Sequence, residues 1–296
     1  MSAPVIPSKR PFSLGRWFTQ TGWRHLVGLV ATVFAAFPLV YVLSASLNPS
    51  GTLTGSNRLF QVFSLENYRI LLTTPSQPYG RWYLNTLLVA TSSALGTVFL
   101  GALAAYAFSR MRFTGRRVGL LSLLLVQMFP QMLGMVAIFL LLTWLGDIVP
   151  VLGLGSGVAL VMIYLGGAMG VNTYLMYGFF NTVPLSLDEA ARVDGAGHAR
   201  IFFTIILRLV APILAVVGLL SFISSVNEFI IASVVLGGDP QGQTLAVGLY
   251  QFVSQLFNTN FPVFTAGAVL AAIPVMALFL YLQKYIVSGL TAGAVK

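Results

Sequence analysis

Few side chains in this sequence can do chemistry. It holds 7 carboxylates, 2 histidines and no cysteine in 296 residues. The missing thiol excludes a disulfide framework, a thiolate metal site and a cysteine nucleophile. His25 and His198 sit at the polar edges of apolar runs, so they provide no base or metal ligand inside one. Neither a G-x-S-x-G elbow nor a G-x4-G-K-[ST] phosphate loop is present. What remains is noncovalent chemistry in two places. Between Pro184 and Pro212, the acids Asp188, Glu189 and Asp194 alternate with Arg192, Arg200 and Arg208. Further on, Ser221, Ser224, Ser225 and Glu228 follow i, i+3, i+4, i+7, with Asn227 at the edge of the stripe. Such a stripe could line a hydrated path or hydrogen-bond between helices.

The elements that must carry these residues are apolar. The chain is 57% hydrophobic and 8% charged, with a mean hydropathy of +0.88. Soluble domains carry roughly 25% charged residues, so this is an all-α integral membrane protein. Six spans are expected, near 26–47, 85–108, 118–144, 158–180, 213–236 and 263–282. They make one six-helix transmembrane domain, 26–296, behind an N-terminal tail, 1–25. A cleaved signal peptide is the rival reading of the first run, but its apolar stretch is too long. Thirteen of the 16 Lys and Arg fall in the first 24 residues, in 110–117, in the 184–212 loop and in the tail 283–296. The bias places all four, and both termini, in the cytoplasm. The loops 146–157 and 237–262 carry no basic residue and face outward.

In the charged hairpin, Ser186 and Glu189 fit a capping box, and Asp188 stands i,i+4 from Arg192. Gly195 is placed to end the helix with positive φ. The expectation is a short helix over 187–194, either a docking element for a soluble partner or a solvated loop. Pro130 should kink the third span between Gln127 and Gln131. Tyr174, Tyr177 and Asn181 in the fourth could stack on a ring or pack, and Gly166 and Gly170 permit close helix approach. Residues 237–243 form a turn-rich tip. Beyond it Leu245, Leu249, Phe252, Val253 and Leu256 recur at helical spacing, as in an amphipathic surface helix.

Glu189-Ala190-Ala191, Gly195, Ile205 and Leu207 resemble, residue for residue and in spacing, the EAA-x3-G-x9-I-x-L-P motif of ABC-importer permease subunits. Asp194 and Ala196 extend it, and Pro212 matches a further frequent proline; Arg208 replaces the motif's own. The stretches 105–113, 127–130, 164–167, 244–248 and 289–293 are similar to sugar-importer permeases of the maltose/maltodextrin type, with trehalose-type relatives sharing the tail pattern. The resemblance implies a MetI-like type I ABC permease architecture in a bacterial inner membrane. It implies a second permease subunit, an ATPase dimer that binds ATP and Mg, and an external sugar-binding protein. Glu189, Ala190, Ala191, Asp194 and Gly195 would couple to the ATPase, and Gly289, Leu290, Thr291 and Gly293 would reach it from the tail. Ser221, Ser224, Ser225 and Glu228 become candidates for the pathway lining, and Asp239, Pro240 and Gln241 for the binding-protein contact. The chain itself needs no cofactor, metal or nucleic acid. An intramembrane enzyme lacks its nucleophile–base pair here, and a secondary transporter lacks ionisable groups at midplane.

Overall fold

The computed structural model describes residues 14–49, 58–254 and 261–292, except the side chains of 14, 16, 131 and 286–292. The elements are α1 (Leu14–Trp17), α2 (Trp23–Ser46), α3 (Glu66–Thr73), α4 (Tyr79–Arg110), α5 (Arg116–Gln127), α6 (Met135–Ile148), α7 (Gly157–Phe180), α8 (Leu185–Val193), α9 (His198–Ile201), α10 (Leu207–Leu209), α11 (Ala211–Asn227), α12 (Ile230–Leu236), α13 (Leu245–Tyr250) and α14 (Phe261–Ala292). Among the described residues four helical runs are long and apolar enough to cross a membrane: Phe18–Ser46, Tyr79–Arg110, Gly157–Phe180 and Phe261–Tyr285. Two bent pairs, α5 with α6 and His198–Leu209 with α11, raise the number to six if each pair is one span.

α4 is the central rod, packing chiefly on α7 and α11. Its buried side is a row of small residues, including Ala90, Ser93, Ala94, Thr97, Gly101, Ala102 and Ala105, which let neighbouring backbones approach. Its other side exposes Leu84, Leu88, Leu95 and Phe99. α2 exposes nearly its whole apolar surface, Phe34 at 82%, and rests on α14. α3 closes the end of α2: Asn67 Nδ2 donates to the carbonyls of Ser46 and Asn48, at 2.9 and 2.8 Å.

Several expectations need correction. The helical run containing α2 starts at Leu14, inside the expected tail, through a π-helical turn at Phe18–Gly22. There Trp17 lies so close to Gly22 that a Cβ would meet its ring at 2.7 Å. α4 begins at Tyr79, because Tyr79 and Trp82 are buried core residues rather than loop. At Pro130 the third span turns by 83° into a 3-10 turn and α6, a break rather than a kink. The fifth span ends at Asn227, and Glu228 and Phe229 separate it from α12. α14 continues to Ala292, through Gly289, Leu290 and Thr291; Gly293 lies outside the described residues.

The bend before α11 survives the loss of the motif proline. The axis turns by 79° at Val210. Pro212, in the first turn of α11, has no amide to offer the Arg208 carbonyl, and its ring crowds that carbonyl.

α13 is not a surface helix. Leu245, Leu249 and Phe252 are buried with Trp82, Tyr79, Val263 and Ala266. Val253 is only half-buried, and Leu256 lies outside the described residues. The contact is tight, because a Cβ on Gly248 would sit 2.2 Å from the Trp82 ring. Gly248→Ala should therefore lower stability by about 1–3 kcal/mol through overpacking. In a thermal melt of the detergent-solubilised protein its midpoint should drop. Gly238→Ala, with nothing within 4 Å, should melt like the wild type.

Candidate functional site

The charged hairpin folds into α8, whose two faces differ. The helix starts at Leu185 after Pro184, with no side-chain cap. Ser186 is therefore in its first turn, and the expected capping box with Glu189 is absent. The carboxylate of Asp188 is engaged elsewhere: Oδ2 lies 3.1 Å from Nε of Arg110, at the end of α4. Both side chains are 2% exposed. This replaces the expected i,i+4 pairing of Asp188 with Arg192. Arg110 also donates through Nη2 to the Val183 carbonyl, at 2.8 Å, so one guanidinium holds both the helix and its lead-in. Ala191 completes the buried side, packing into a cluster with Ala105, Tyr106, Phe180, Phe202 and Ile206.

Leu185, Glu189 and Val193 recur every four residues on the opposite face, and all are exposed, Val193 at 88%. Ala190 and Arg192 are exposed beside them. The end of α8 follows expectation: Gly195 has φ +79°. The Gly195 amide donates to the Arg192 carbonyl and the Ala196 amide to the Ala191 carbonyl, both at 2.9 Å, closing a Schellman motif. Asp194 is exposed at this corner.

The polar stripe also comes together. Ser221, Ser224, Ser225 and Glu228 line one cavity of about 300 Å³. Ser93 and Thr97 of α4, with Tyr164 and Asn172 of α7, face them. Glu228 is a helix cap rather than a fourth stripe residue. Its Oε1 accepts from the Ile231 amide at 2.8 Å; its Oε2 accepts from the Ala232 amide at 2.9 Å and from Tyr164 OH at 2.7 Å. A carboxylate at the positive end of a short helix is favourably placed.

Asn227 turns away, donating to the Ile223 carbonyl at 2.9 Å. Tyr174, Tyr177 and Asn181 do not line this cavity. Tyr177 instead lies under Arg116, 5.9 Å from its ring centre. Gln127 bonds the α7 backbone, donating to the Gly167 carbonyl and accepting from the Val171 amide. Gly170 makes room for it, because a Cβ there would meet Gln127 at 2.6 Å; nothing lies within 4 Å of Gly166. The i,i+4 pair Ser93 and Thr97, on a row of small residues, was the available signal for the opposite wall. Tyr164 and Arg110 gave none, since their partners are far along the chain.

The tip is an exposed turn over 237–241, with Gln243 buried beneath it, and is pinned from below. Asp239 Oδ1 accepts from the Gln241 amide, at 2.9 Å. Trp82 Nε1 donates to the Pro240 carbonyl at 2.6 Å, and Asn85 Nδ2 to the carbonyls of Gln241 and Gln243 at 2.9 and 3.0 Å. Asp239, Pro240 and Gln241 are exposed.

Comparison with known proteins gives a family-model match over residues 97–292, described as binding-protein-dependent transport system inner membrane component. The galactooligosaccharides transport system permease protein GanQ of Bacillus subtilis is 38% identical, over 95% of this chain and 97% of that one. The maltodextrin transport system permease protein MdxG of the same organism is 38% identical, over 92% and 95%. The maltose/maltodextrin transport system permease protein MalG of Escherichia coli is 39% identical, over 92% and 94%. A crystal structure of a bacterial ABC transporter that imports the acidic polysaccharide alginate superposes with a TM-score of 0.75, at 26% identity, covering 94% of this chain and 99% of that one.

Removing either member of the Arg110–Asp188 pair leaves a buried charge without its partner, at about 3–5 kcal/mol. Arg110→Ala and Asp188→Ala should each lower the unfolding midpoint in detergent, and Arg110→Met with Asp188→Leu should recover most of the loss. Full stability in either single variant would show that the pair is not needed.

Proposed function

The chain belongs to the binding-protein-dependent transport system inner membrane components, and from that premise we propose that it is half of the membrane pathway of an ATP-driven oligosaccharide importer. It is a permease subunit and not an enzyme. Maltodextrins are the first reading of the cargo, supported by the likeness to MdxG and MalG. Galactooligosaccharides are the second, supported equally well by GanQ. A second permease chain completes the path, and an ATPase pair, binding ATP and Mg, drives it from the cytoplasm. A sugar-binding protein delivers cargo to the outer face, at Asp239, Pro240 and Gln241. The charge bias supports a bacterial inner-membrane location with both termini inside.

The observation that carries the reading is the free face of α8. Two turns of helix are marginal alone, and this helix is fixed on one side by Arg110 and Asp188. On the other it offers Leu185 and Val193 around Glu189. Apolar side chains on an otherwise polar surface mark a contact. The exposed carboxylate suits a basic partner surface. The end of α14, with Gly289, Leu290, Thr291 and the following Gly293, is the second contact with the ATPase.

Glu189→Lys reverses the charge at the centre of this face, and Gly195→Val strains the left-handed turn that ends the helix. In the assembled complex each should cut sugar-stimulated ATP hydrolysis at least about tenfold, equivalent to about 1.4 kcal/mol of lost interaction. Membrane insertion of the subunit should stay normal. Unchanged coupling in both variants would return α8 to a solvated loop, and uptake assays with maltodextrins and galactooligosaccharides decide between the cargoes.

A further inference from the structure

The cavity between α4, α7, α11 and α12 contains hydrogen-bonding groups that the protein leaves unused. Ser93, Thr97 and Ser221 are 2%, 1% and 7% exposed, and none of their hydroxyl oxygens has a partner. A hydroxyl has one donor and two acceptor sites. Leaving such a group buried and unmatched costs about 1–3 kcal/mol. These hydroxyls do not act as glue between helices, which would require a bond across the interface. Nor do they fold back on their own helix, as Thr32, Thr143 and Thr204 do, each donating to the carbonyl four residues earlier. All three line the same space of about 300 Å³, at the lower end of small-molecule sites.

The other lining groups restrict what could fill it. Glu228 already holds three donors, so a metal cation would have to compete for a committed carboxylate. Among the described residues no Lys or Arg lines the space, so an anionic sugar would face Glu228 without a counter-charge from them. An uncharged polyol meets neither obstacle and can both donate to and accept from the three hydroxyls.

We propose that this cavity is a subsite, within this subunit, for one uncharged glycosyl unit of the transported saccharide. Ser93, Thr97 and Ser221 contact its hydroxyls, and Glu228 and Tyr164 are positioning residues that hold the wall. The subsite rests on the reading of the chain as an oligosaccharide permease subunit.

The absence of cysteine from the chain makes a direct test available. Ser224→Cys and Ala168→Cys each put a single thiol on the cavity wall, and Ser92→Cys puts one on the exposed side of α4. Each is placed in the assembled complex, in liposomes with its binding protein and ATP. A small water-soluble methanethiosulfonate should label both wall thiols. Maltodextrin or galactooligosaccharide at ten times its dissociation constant should slow that labelling about tenfold, leaving Ser92→Cys unaffected. Adding Thr97→Val and Ser221→Ala should abolish the protection. Unlabelled wall thiols, labelling that sugar does not slow, or equal protection of Ser92→Cys would each overturn the subsite. Sugar uptake alongside an unprotected wall would overturn the subsite alone. A complex that hydrolyses ATP but imports neither saccharide would overturn both cargo readings of the proposed function.

Discussion

The Arg110–Asp188 contact is the constraint that organises the end of the molecule where α4 meets α8. A charged pair with both side chains 2% exposed is a severe demand in a chain that is 8% charged. Among the described residues neither carboxylate oxygen accepts a hydrogen bond, so Asp188 is held there chiefly by charge. The guanidinium divides its donors between this role and the Val183 carbonyl. A helix of nine residues thereby becomes an extension of α4. Its buried face is tied to the end of a long rod.

That rod links three places. Its 32 residues span about 48 Å at 1.5 Å per residue. At one end Arg110 grips α8; at the other, Trp82 and Asn85 hold the carbonyls of the 240–243 tip. Between them Ser93 and Thr97 face the cavity. Around this continuous helix two spans are broken, α5 with α6 and the one that leads into α11, while α7 runs unbroken. Where a membrane helix breaks, its freed amides and carbonyls must be satisfied by protein. Glu228 does so for the start of α12, and Gln127 reaches the α7 backbone beside its glycines. Glu228 thus both holds the start of α12 at a break and lines the cavity with Ser93, Thr97 and the serines of α11.

Local rules read much of this correctly. Hydropathy found apolar runs that correspond to four continuous spans and two bent pairs, and Gly195 and Pro130 marked real interruptions, because each acts through its own backbone. The polar stripe on α11 was legible because its periodicity is local. Errors arose where a distant partner decided the outcome. Asp188 sits four residues from Arg192, yet pairs with an arginine 78 positions earlier, since only that partner shares its buried site. The apolar repeat of α13 suited a membrane surface as well as a core, and only Trp82, against Gly248, distinguishes them. Glu228 continued a helical repeat on paper, but as an acid in hydrocarbon it is better satisfied at a helix start than along a helix side. The chain turns by 79° beside Arg208 even though the motif proline is replaced there, and Pro212 opens the helix that follows.

The fold by itself does not choose the cargo. The solved importer of an acidic polysaccharide shares this architecture at a TM-score of 0.75, while the relatives of similar length are named for maltodextrins and galactooligosaccharides. Discrimination between such cargoes must come from side chains that face the path, because an acidic sugar carries a charge that needs an opposite one when water is removed. In this subunit the walls of the cavity carry hydroxyls, an amide and one carboxylate already committed to its helix and to Tyr164. That set has no cation to offer. It can match the hydroxyls of a neutral sugar, and it opposes a uronate through Glu228, so its selectivity would come as much from exclusion as from attraction.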